Sequence, residues 1–339
     1  MAKNKQLPKH LLVMRTTAMG DVAMLPHALR ALCAAYPDLH ITVATQPFLK
    51  PFFRGLNVDF LDVKTKDEHH SVVGMWRLAR EARALGVDAV ADVHDVLRSK
   101  AFALSMLLHG IPVARIRKEH LAKKRALGSG GKIEPLKHSV VRYCDTFRRL
   151  GFVFDDPTPA VKPDWGTSPM GEKTGRWIGF APFSAHAGKT YPMEQSIRLV
   201  ELLAARYDRV FIHGGGGEEQ RFAEEMEQRY SNVTALFGKV RFAGEMEVIA
   251  HEDCIISMDS MAMHMASLTA TPVVSIWGAT HPSLGFLGWG CDPKLTLQAE
   301  MPCRPCSVFG AKPCKWGDYR CLRVITPEMV LKIVEKVVR

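Results

Sequence analysis

Four short segments of the sequence place polar side chains directly after apolar runs that predict strands. Asp21 ends a turn that begins at Arg15, Lys189 follows a loop of small residues, Glu218 follows four glycines, and the segment 259–264 begins with an aspartate. In open α/β sheets, ligands bind beyond the carboxyl ends of the strands, often at helix N-termini. These four segments are therefore the candidate ligand-binding loops.

The first segment centres on Asp21. Gly20 permits a tight turn, and Asp21 then opens a stretch whose apolar residues recur at helical spacing. A carboxylate at this place could take a proton from a substrate hydroxyl as a general base. It could equally be an ordinary N-terminal helix cap. The residues alone leave both interpretations open.

Phosphate and ribose binding are possible at the next two segments. Small residues followed by Lys189 suit a phosphate, although the spacing is not that of a P-loop, and a solvated loop lysine is an equal alternative. Glu218 or Glu219 could hold a ribose, or could simply be acids in the first turn of a helix. The glycine run before them lacks the G-x-G-x-x-G spacing of a dinucleotide site.

The fourth segment carries the most specific pattern. A strand ends at Asp259, Ser260 can cap the next helix, and the first-turn N–H groups of Met261 and Ala262 can hold a phosphate. His264 follows one turn later on the same helix face, where a buried core histidine is also common. An acid, a serine and a histidine at one helix start together predict a phosphate site.

Strands and helices alternate along most of the chain, which predicts parallel sheets covered by helices. A connector with four prolines at 155–169 divides the alternation. The predicted domains are 1–165 and 166–325, followed by a helix at 326–339 that could pack back on the N-terminal domain. Apolar runs are too short for a membrane span or a signal peptide, and the cysteine content favours reduced thiols. We therefore expect an intracellular, soluble protein.

The net charge of +10 is unevenly distributed. Residues 1–165 hold 26 basic and 16 acidic side chains, whereas residues 166–339 hold 19 of each. An anionic partner should therefore meet the first half, whether a nucleic acid, an anionic membrane or an acidic substrate. A basic stretch supplies the candidate contacts, and a solvated charged loop is the alternative interpretation of it. Its basic residues are Arg98, Lys100, Arg115, Arg117, Lys118, Lys123, Lys124 and Arg125.

In this order, the segments resemble glycosyltransferase family 9, the ADP-heptose:lipopolysaccharide heptosyltransferases. Arg15-Thr-x-x-x-Gly-Asp-Val22 is similar to the family's N-terminal signature, and Lys189-Thr-Tyr-Pro192 to its Lys-x-Trp-Pro. Asp259-Ser-Met-Ala-Met-His264 resembles Asp-[Ser/Thr]-Gly-x-x-His, and the segment 278–282 resembles Gly-Pro-Thr-x-Pro. Three departures bear on the donor sugar: Met261 replaces a glycine, Ala185 a hydroxyl residue, and Tyr191 a tryptophan.

The resemblance implies a GT-B type α/β fold, with two Rossmann-like doubly wound domains facing a central cleft. It implies an inverting transfer of heptose from ADP-heptose to the lipopolysaccharide inner core or a related glycolipid, with Asp21 as catalytic base and no cofactor or metal required. The donor-binding residues it implies are Ser184, Lys189, Glu218, Asp259, Ser260, Met261, Ala262 and His264.

The basic stretch would then grip a Kdo-lipid A type acceptor at the anionic inner leaflet, making the protein cytoplasmic and peripheral on the inner membrane. Nucleic acid is not an expected partner, because no RNP-like, zinc-finger or helix-turn-helix pattern occurs. The alternative is a non-catalytic protein with a nucleotide-sugar fold whose basic half binds membrane or nucleic acid.

Four cysteines lie within nineteen residues, at Cys303, Cys306, Cys314 and Cys321. Only the first pair has the C-x₂-C spacing typical of zinc sites. The segment is therefore interpreted either as a structural loop or as a zinc site, and the spacing supports zinc only in part.

Overall fold

The computed structural model describes residues 7–130, 133–159 and 164–338. The strands, in chain order, are β1 (His10–Met14), β2 (His40–Thr45), β3 (Asp59–Asp62), β4 (Ala89–Asp92), β5 (Val113–Arg115), β6 (Trp177–Ala181), β7 (Arg209–Ile212), β8 (Val233–Ala235), β9 (Cys254–Met258), β10 (Val273–Trp277) and β11 (Thr296–Gln298). The α-helices are α1 (Met19–Ala35), α2 (Val72–Ala84), α3 (Leu97–Leu108), α4 (His120–Arg125), α5 (Ser139–Arg148), α6 (Met193–Ala204), α7 (Glu218–Arg229), α8 (Phe242–His251), α9 (Met261–Thr269), α10 (Arg320–Arg323) and α11 (Pro327–Val337).

The chain forms two compact units, and both are discontinuous in sequence. Unit 1 comprises Met1–Lys118 and Ser139–Thr158, and unit 2 comprises Glu119–His138 and Pro159–Arg339. The segment Glu119–His138, which the sequence prediction placed in the first domain, is held in unit 2 by backbone hydrogen bonds: Gly128 N–H donates to Pro305 O (2.8 Å) and Leu136 N–H to Ser283 O (2.8 Å).

The new boundary redistributes the excess charge. Unit 1 carries 20 basic and 13 acidic side chains, a net of +7, and unit 2 carries 25 and 22, a net of +3. Most of the excess therefore remains in unit 1, but Lys123, Lys124 and Arg125 belong to unit 2.

Unit 1 is built on a five-stranded parallel sheet in the order β3-β2-β1-β4-β5, with Leu12 opposite both Thr42 and Val90. Helices α2 and α3 cover one face, where Met75 and Phe102 join the buried core. Right-handed crossovers place α1 on the opposite face, where it packs against α5.

Unit 2 is built on a six-stranded parallel sheet in the order β11-β10-β9-β6-β7-β8. The C-terminal helix α11, which the sequence prediction allowed to pack on the N-terminal domain, belongs to this unit and packs against α6. The reason is its apolar side, because Val330 and Val334 are fully buried in the unit 2 core.

The stretch that sequence analysis treated as basic and turn-rich is more regular than expected. It contains α3, β5 and α4. Helix α3 forms because its leucines, Phe102 and Met106 recur at helical spacing. Among the described residues, no helix combines the length and the apolarity needed to cross a bilayer.

Candidate active site

Each sheet has a point where the strand order reverses, and loops leave the sheet there in opposite directions. In unit 1 this point lies between β1 and β4, and in unit 2 between β6 and β9. Such switch points form crevices at the carboxyl ends of the strands and are the usual ligand sites of open α/β sheets. The residues singled out from the sequence group around these two points.

At the unit 1 switch point, Asp21 forms an ion pair with Arg15. Arg15 Nη2 contacts Asp21 Oδ2, and Arg15 is itself fixed by hydrogen bonds to main-chain oxygens: Nε donates to Thr17 O (2.9 Å) and Nη1 to Val93 O. The Arg15 side chain is 8% exposed and that of Asp21 29%. Burial opposes the charge of Arg15, but Asp21, Tyr143 and Asp92 together outweigh burial and raise the pKa of Arg15.

Asp21 lies inside the first turn of α1, because the helix begins at Met19 and not at Val22 as the sequence suggested. The Asp21 side chain is therefore not the residue that caps the helix, although the positive end of α1 still favours its charge. Tyr143 from α5 donates its hydroxyl to Asp21 O (3.1 Å) and fixes the main chain there. The result is a positioned and partly exposed carboxylate.

His94, which sequence analysis did not single out, lies in the same crevice. Its Nε2 is 3.0 Å from Thr17 Oγ1 and its Nδ1 is 3.3 Å from Thr16 Oγ1. Burial, followed by the charge of Arg15, lowers the pKa of His94 to about 3. The signal in the sequence was a histidine between two aspartates at the end of a buried strand, and the buried Asp92 accepts the His94 N–H (3.0 Å).

At the unit 2 switch point, Lys189 Nζ lies 3.2 Å from Asp259 Oδ2, and both side chains are largely buried. Thr280 donates its hydroxyl to the same Asp259 oxygen (2.7 Å). The Lys189 loop and the segments 259–264 and 278–282, which were recognised separately in the sequence, therefore meet here. Because an ammonium group has three donors, Lys189 keeps the capacity to bind a phosphate while Asp259 holds it in place.

Two glycines allow this meeting. Ala279 N–H donates to Gly188 O at 2.8 Å, and a Cβ added to Gly278 would lie only 2.4 Å from that oxygen. A Cβ on Gly188 would lie 2.8 Å from that of Ala279. The loop that carries Lys189 can thus pack directly against the end of β10.

Helix α9 starts at the same switch point. Ser260 occupies the N-cap position, but its hydroxyl lies 3.2 Å from Ser257 Oγ and makes no capping bond to the first turn. The first-turn N–H groups of Met261 and Ala262 thus lack this serine as a partner, consistent with anion binding. Met261 is half-buried and His264 is 5% exposed, so His264 is mainly a residue of the interior.

A pocket of about 500 Å³ lies in unit 2, within the size range of small-molecule sites. Ser184 and Glu218 line it, as do Phe183 and Tyr319, two aromatic residues that sequence analysis missed. Glu218 is exposed at the start of α7. Glu219 also faces the pocket, but its carboxylate already accepts the Gly215 N–H (2.6 Å). The structure therefore distinguishes two acids that the sequence could not.

The three departures from the family pattern occupy different environments. Tyr191 is 1% exposed and donates its hydroxyl to Ile325 O (2.5 Å), so most of its ring belongs to the core beside the pocket. Ala185 is exposed. Met261 is the only one of the three that lies at the start of α9, where an anion could bind.

The basic stretch is only partly exposed. Lys123 is 5% exposed, with Nζ lying 4.3 Å from the centre of the Phe286 ring, so it is not available to an acceptor. Lys118 donates to Asp95 O (2.9 Å) and Arg98 to Thr65 O (3.2 Å). The exposed members of the predicted set divide between the units: Lys100, Arg115 and Arg117 in unit 1, and Lys124 and Arg125 in unit 2.

The four clustered cysteines line one cavity of about 20 Å³, and all are free thiols. Burial and the neighbouring Cys303 and Cys314 raise the pKa of the Cys306 thiol. Burial also opposes ionisation of Cys314, but three backbone N–H groups outweigh it and lower the pKa of this thiol. Within the described ranges, no three or more His, Cys, Asp or Glu side chains are arranged to hold a metal ion. The cysteines thus share a cavity without forming an assembled ligand set.

The chain is similar to known glycosyltransferases. The family model for glycosyltransferase family 9 (heptosyltransferase) matches residues 75–309. Lipopolysaccharide heptosyltransferase 1 of Escherichia coli K12 is 23% identical over 310 residues, covering 81% of this chain and 89% of the relative. The enzyme of that name from Pseudomonas aeruginosa is 22% identical over 311 residues, covering 87% of this chain and 85% of the relative.

Solved structures show the same fold. A family 9 glycosyl transferase from Veillonella parvula matches with a TM-score of 0.72 and 19% identity, over 97% of both chains. E. coli heptosyltransferase WaaC with ADP-2-deoxy-2-fluoro heptose matches with a TM-score of 0.66 and 16% identity, over 96% of this chain and 99% of that one. The iron-containing dodecameric glycosyltransferase TibC from enterotoxigenic E. coli matches with a TM-score of 0.54 and 14% identity, over 98% of this chain and 76% of its own.

These likenesses confirm the predicted two-domain α/β fold of the GT-B type. They do not favour the alternative of a non-catalytic binding protein. Since the family model covers more than half of the sequence, the chain belongs to glycosyltransferase family 9.

Proposed function

We propose that this protein transfers a heptose from ADP-heptose, with inversion, to the lipopolysaccharide inner core or a related glycolipid. The observation that carries the proposal is the partly exposed Asp21 carboxylate, which Arg15 holds at the switch point of unit 1. Further support comes from two relatives named lipopolysaccharide heptosyltransferase 1 and from the fold shared with a heptosyltransferase solved with an ADP-heptose analogue.

The donor binds to unit 2 in this proposal. The nucleoside occupies the 500 Å³ pocket, with Glu218 on the ribose and the aromatic rings of Phe183 and Tyr319 available to the base. Ser184, Lys189 and the start of α9 at Ser260–Ala262 hold the diphosphate. Asp259 positions Lys189, and the Asp259–His264 turn faces the sugar.

Transfer is a single displacement at the anomeric carbon. The acceptor oxygen forms the new bond as its proton passes to Asp21, and the bond from the anomeric carbon to the diphosphate oxygen breaks on the opposite side. ADP leaves with the bonding electrons, and Lys189 and the α9 N–H groups stabilise the added negative charge. Attack from the side opposite the leaving group inverts the configuration.

Transfer without a metal ion is part of the proposal. Lys189 and the positive end of α9 supply charge where a divalent cation would otherwise act. We expect EDTA to leave the transfer rate within about twofold, because these groups are built into the chain. Loss of transfer in EDTA, restored by one added metal, would overturn this part while leaving the choice of donor intact.

The acceptor is an acidic glycolipid of the Kdo-lipid A type, and the protein works in the cytoplasm at the inner-membrane surface. The net charge of +7 in unit 1 and the exposed Arg115 and Arg117 support this choice, since Kdo carboxylates and lipid A phosphates are anionic. Nucleic acid has no recognition motif to support it.

The test is a transfer assay with the purified full-length chain. A panel of nucleotide sugars, ADP-heptose among them, is offered together with a deep-truncated inner-core acceptor. We expect turnover with ADP-heptose and a product of inverted anomeric configuration. Binding of acceptor without turnover of any donor would contradict the proposal, and turnover of a different sugar would correct the donor.

A further inference from the structure

Helices α2 and α3 lie side by side on one face of the unit 1 sheet. They pack against each other, and Arg83 Nη1 donates to Ser105 Oγ at 3.3 Å. Their inward sides contribute Leu78 and Phe102 to the core. Their outward sides therefore form one continuous surface, here called the α2–α3 face.

The α2–α3 face is strongly apolar for an exposed surface. Leu97 is 81% exposed and Val73 74%. These two helices hold seven of the eighteen large exposed hydrophobic residues found in the described part of the chain, so the apolar surface is concentrated here. Such patches on otherwise polar proteins mark interaction sites. The members are Val72, Val73 and Trp76 of α2, and Leu97, Leu104, Leu107 and Leu108 of α3.

The spacing of these residues follows the helices. On α3 they recur at positions 97, 104, 107 and 108, with Lys100 on the same side, while the core residues Phe102 and Met106 point the other way. On α2, exposed Val73 and Trp76 are followed by exposed Arg77 and Arg80. Both helices thus have two apolar sides, one that packs in the core and one that is exposed.

The charges of the α2–α3 face are one-sided. The two helices contain five basic residues and one acid, Glu81. Arg77 and Arg80 are exposed beside the apolar residues, and Lys100 Nζ lies 3.9 Å from Asp95 Oδ1 at the start of α3. A partner that covers the face must therefore accept aliphatic and indole side chains and also carry negative charge.

We propose that the α2–α3 face docks on the surface of an anionic lipid bilayer. Leucine, valine and tryptophan side chains would enter the boundary between headgroups and acyl chains, and the arginines would contact lipid phosphates. Each basic residue near such a surface strengthens binding by roughly fivefold. The inference rests on the proposed function only in taking the acceptor to be membrane-bound. A second copy of this chain is a poorer occupant, because self-association would bring two faces of the same charge together.

The test measures flotation of the full-length protein with vesicles. Vesicles of phosphatidylethanolamine and phosphatidylglycerol supply anionic surface, and phosphatidylcholine vesicles supply a neutral one. The variant Leu104→Glu/Leu108→Glu removes the apolar contact at two exposed positions, so folding should be preserved, and circular dichroism and the Tm check this. Val153→Glu, at an 82% exposed position of unit 1 outside the face, is its control.

A second pair of variants tests the charges. Arg77→Glu/Arg80→Glu reverses two charges on the face, and Lys332→Glu/Lys336→Glu reverses two exposed charges on α11 in unit 2. We expect the parent to bind anionic vesicles and to bind neutral ones at least tenfold more weakly. The leucine and arginine double variants should each lose at least tenfold in partitioning, with both controls within twofold of the parent.

Three results would overturn the inference. The first is equal flotation of the parent and the Leu104→Glu/Leu108→Glu variant. The second is an equal loss in the Val153→Glu control. The third is the absence of vesicle binding together with a dimer, seen by light scattering, that Leu104→Glu/Leu108→Glu dissociates, which would make the face a contact between copies.

Failure of the docking and failure of the proposed function are distinguishable. With a water-soluble, deacylated acceptor, the Leu104→Glu/Leu108→Glu variant should transfer sugar at the parent's rate, because neither leucine belongs to the catalytic or donor site. If the parent floats with vesicles but transfers no sugar, the docking stands and the proposed reaction falls. If it transfers sugar but does not float, the reverse holds.

Discussion

Both switch points of this protein hold a carboxylate paired with a cation, but the two pairs are built differently. In unit 1 the cation is Arg15, anchored by main-chain oxygens from two loops, and the carboxylate is the more exposed partner. In unit 2 the carboxylate, Asp259, is the more buried partner and also accepts the Thr280 hydroxyl, and the cation is Lys189. The first arrangement presents a carboxylate and the second an ammonium group.

This difference suits two halves of one reaction. A carboxylate held by a fixed guanidinium is positioned to accept a proton, whereas a lysine held at one donor can still turn its other donors to an anion. A crevice at a strand-order reversal thus presents a negative charge in unit 1 and a positive charge in unit 2, because the more exposed member of the ion pair is Asp21 in the first and Lys189 in the second. The predictions below test this contrast.

The largest effect is expected at Asp21. Replacing it with Asn keeps the shape but removes the base, so kcat should fall by about 10² to 10⁴ while the Kd for ADP stays within about twofold. Rate assays and calorimetric titration with ADP measure the two quantities. Asp38→Asn, at an exposed position of the same unit, is the control. Retention of kcat in Asp21→Asn would remove this residue as the base.

Lys189→Met should show the reverse pattern. Loss of a charged hydrogen bond to the diphosphate should weaken ADP binding by roughly tenfold to a hundredfold. Asp259→Asn should give a smaller loss, because Lys189 remains but is no longer held. The Kd for ADP measures both effects, with Lys294→Met as an exposed control in the same unit. Equal Kd values for Lys189→Met and the parent would contradict the assignment of the phosphate to this crevice.

A smaller effect separates the two glutamates of the donor pocket. Glu218→Gln should raise the KM for the donor severalfold, because a ribose hydroxyl loses a charged acceptor. It should leave the Tm unchanged, since Glu218 is exposed at the start of α7. Glu219→Gln should lower the Tm slightly, because its carboxylate holds the Gly215 N–H. If only Glu219→Gln raised the KM, the ribose would belong to Glu219.

Two buried histidines should give the units opposite responses to pH. Burial and Arg15 lower the pKa of His94 to about 3. The stability that neutral His94 contributes to the folded state is therefore complete above pH 6.5 and is lost as the pH falls towards 3. Burial alone would lower the pKa of His213, but Glu252 and Glu245 raise it to about 10. The stability that charged His213 contributes to the folded state is complete below pH 6.5 and is lost as the pH rises towards 10.

Hydrogen exchange resolved by peptide can follow the two units separately, at matched pH. Relative to His94→Gln, the parent should lose protection in β4 below pH 6.5. Relative to His213→Gln, it should lose protection in β7 above pH 6.5. Parallel changes in both peptides, or changes of the opposite sign, would refute the assignment of these charges.

The sequence was most informative where function depends on local spacing. Asp21, Lys189 and Asp259 each follow an apolar strand, and the rule for carboxyl ends of parallel strands brought them to the right places in their sheets. It could not give the Lys189–Asp259 contact, because that depends on the close approach of Gly188 and Gly278, 90 positions apart in sequence.

The errors came from long-range packing. Nothing local shows that Lys123 lies over Phe286, since that contact joins residues far apart in sequence and buries a lysine that composition alone assigns to the surface. His94 was overlooked for a similar reason: Arg15 contributes to its lowered pKa and Thr17 contacts its ring, and both residues lie in the loop after β1.

The discontinuity of the two units has a consequence for how the chain is made. The polypeptide passes between the units three times, after residues 118, 138 and 158. Unit 1 lacks α5 until residue 148 has left the ribosome, and the segment 119–138 must then wait for Ser283 and Pro305, its partners in unit 2. During synthesis this basic segment therefore stays without its docking site for about 150 residues, and no single cut in the chain can separate the two units and leave both of them intact.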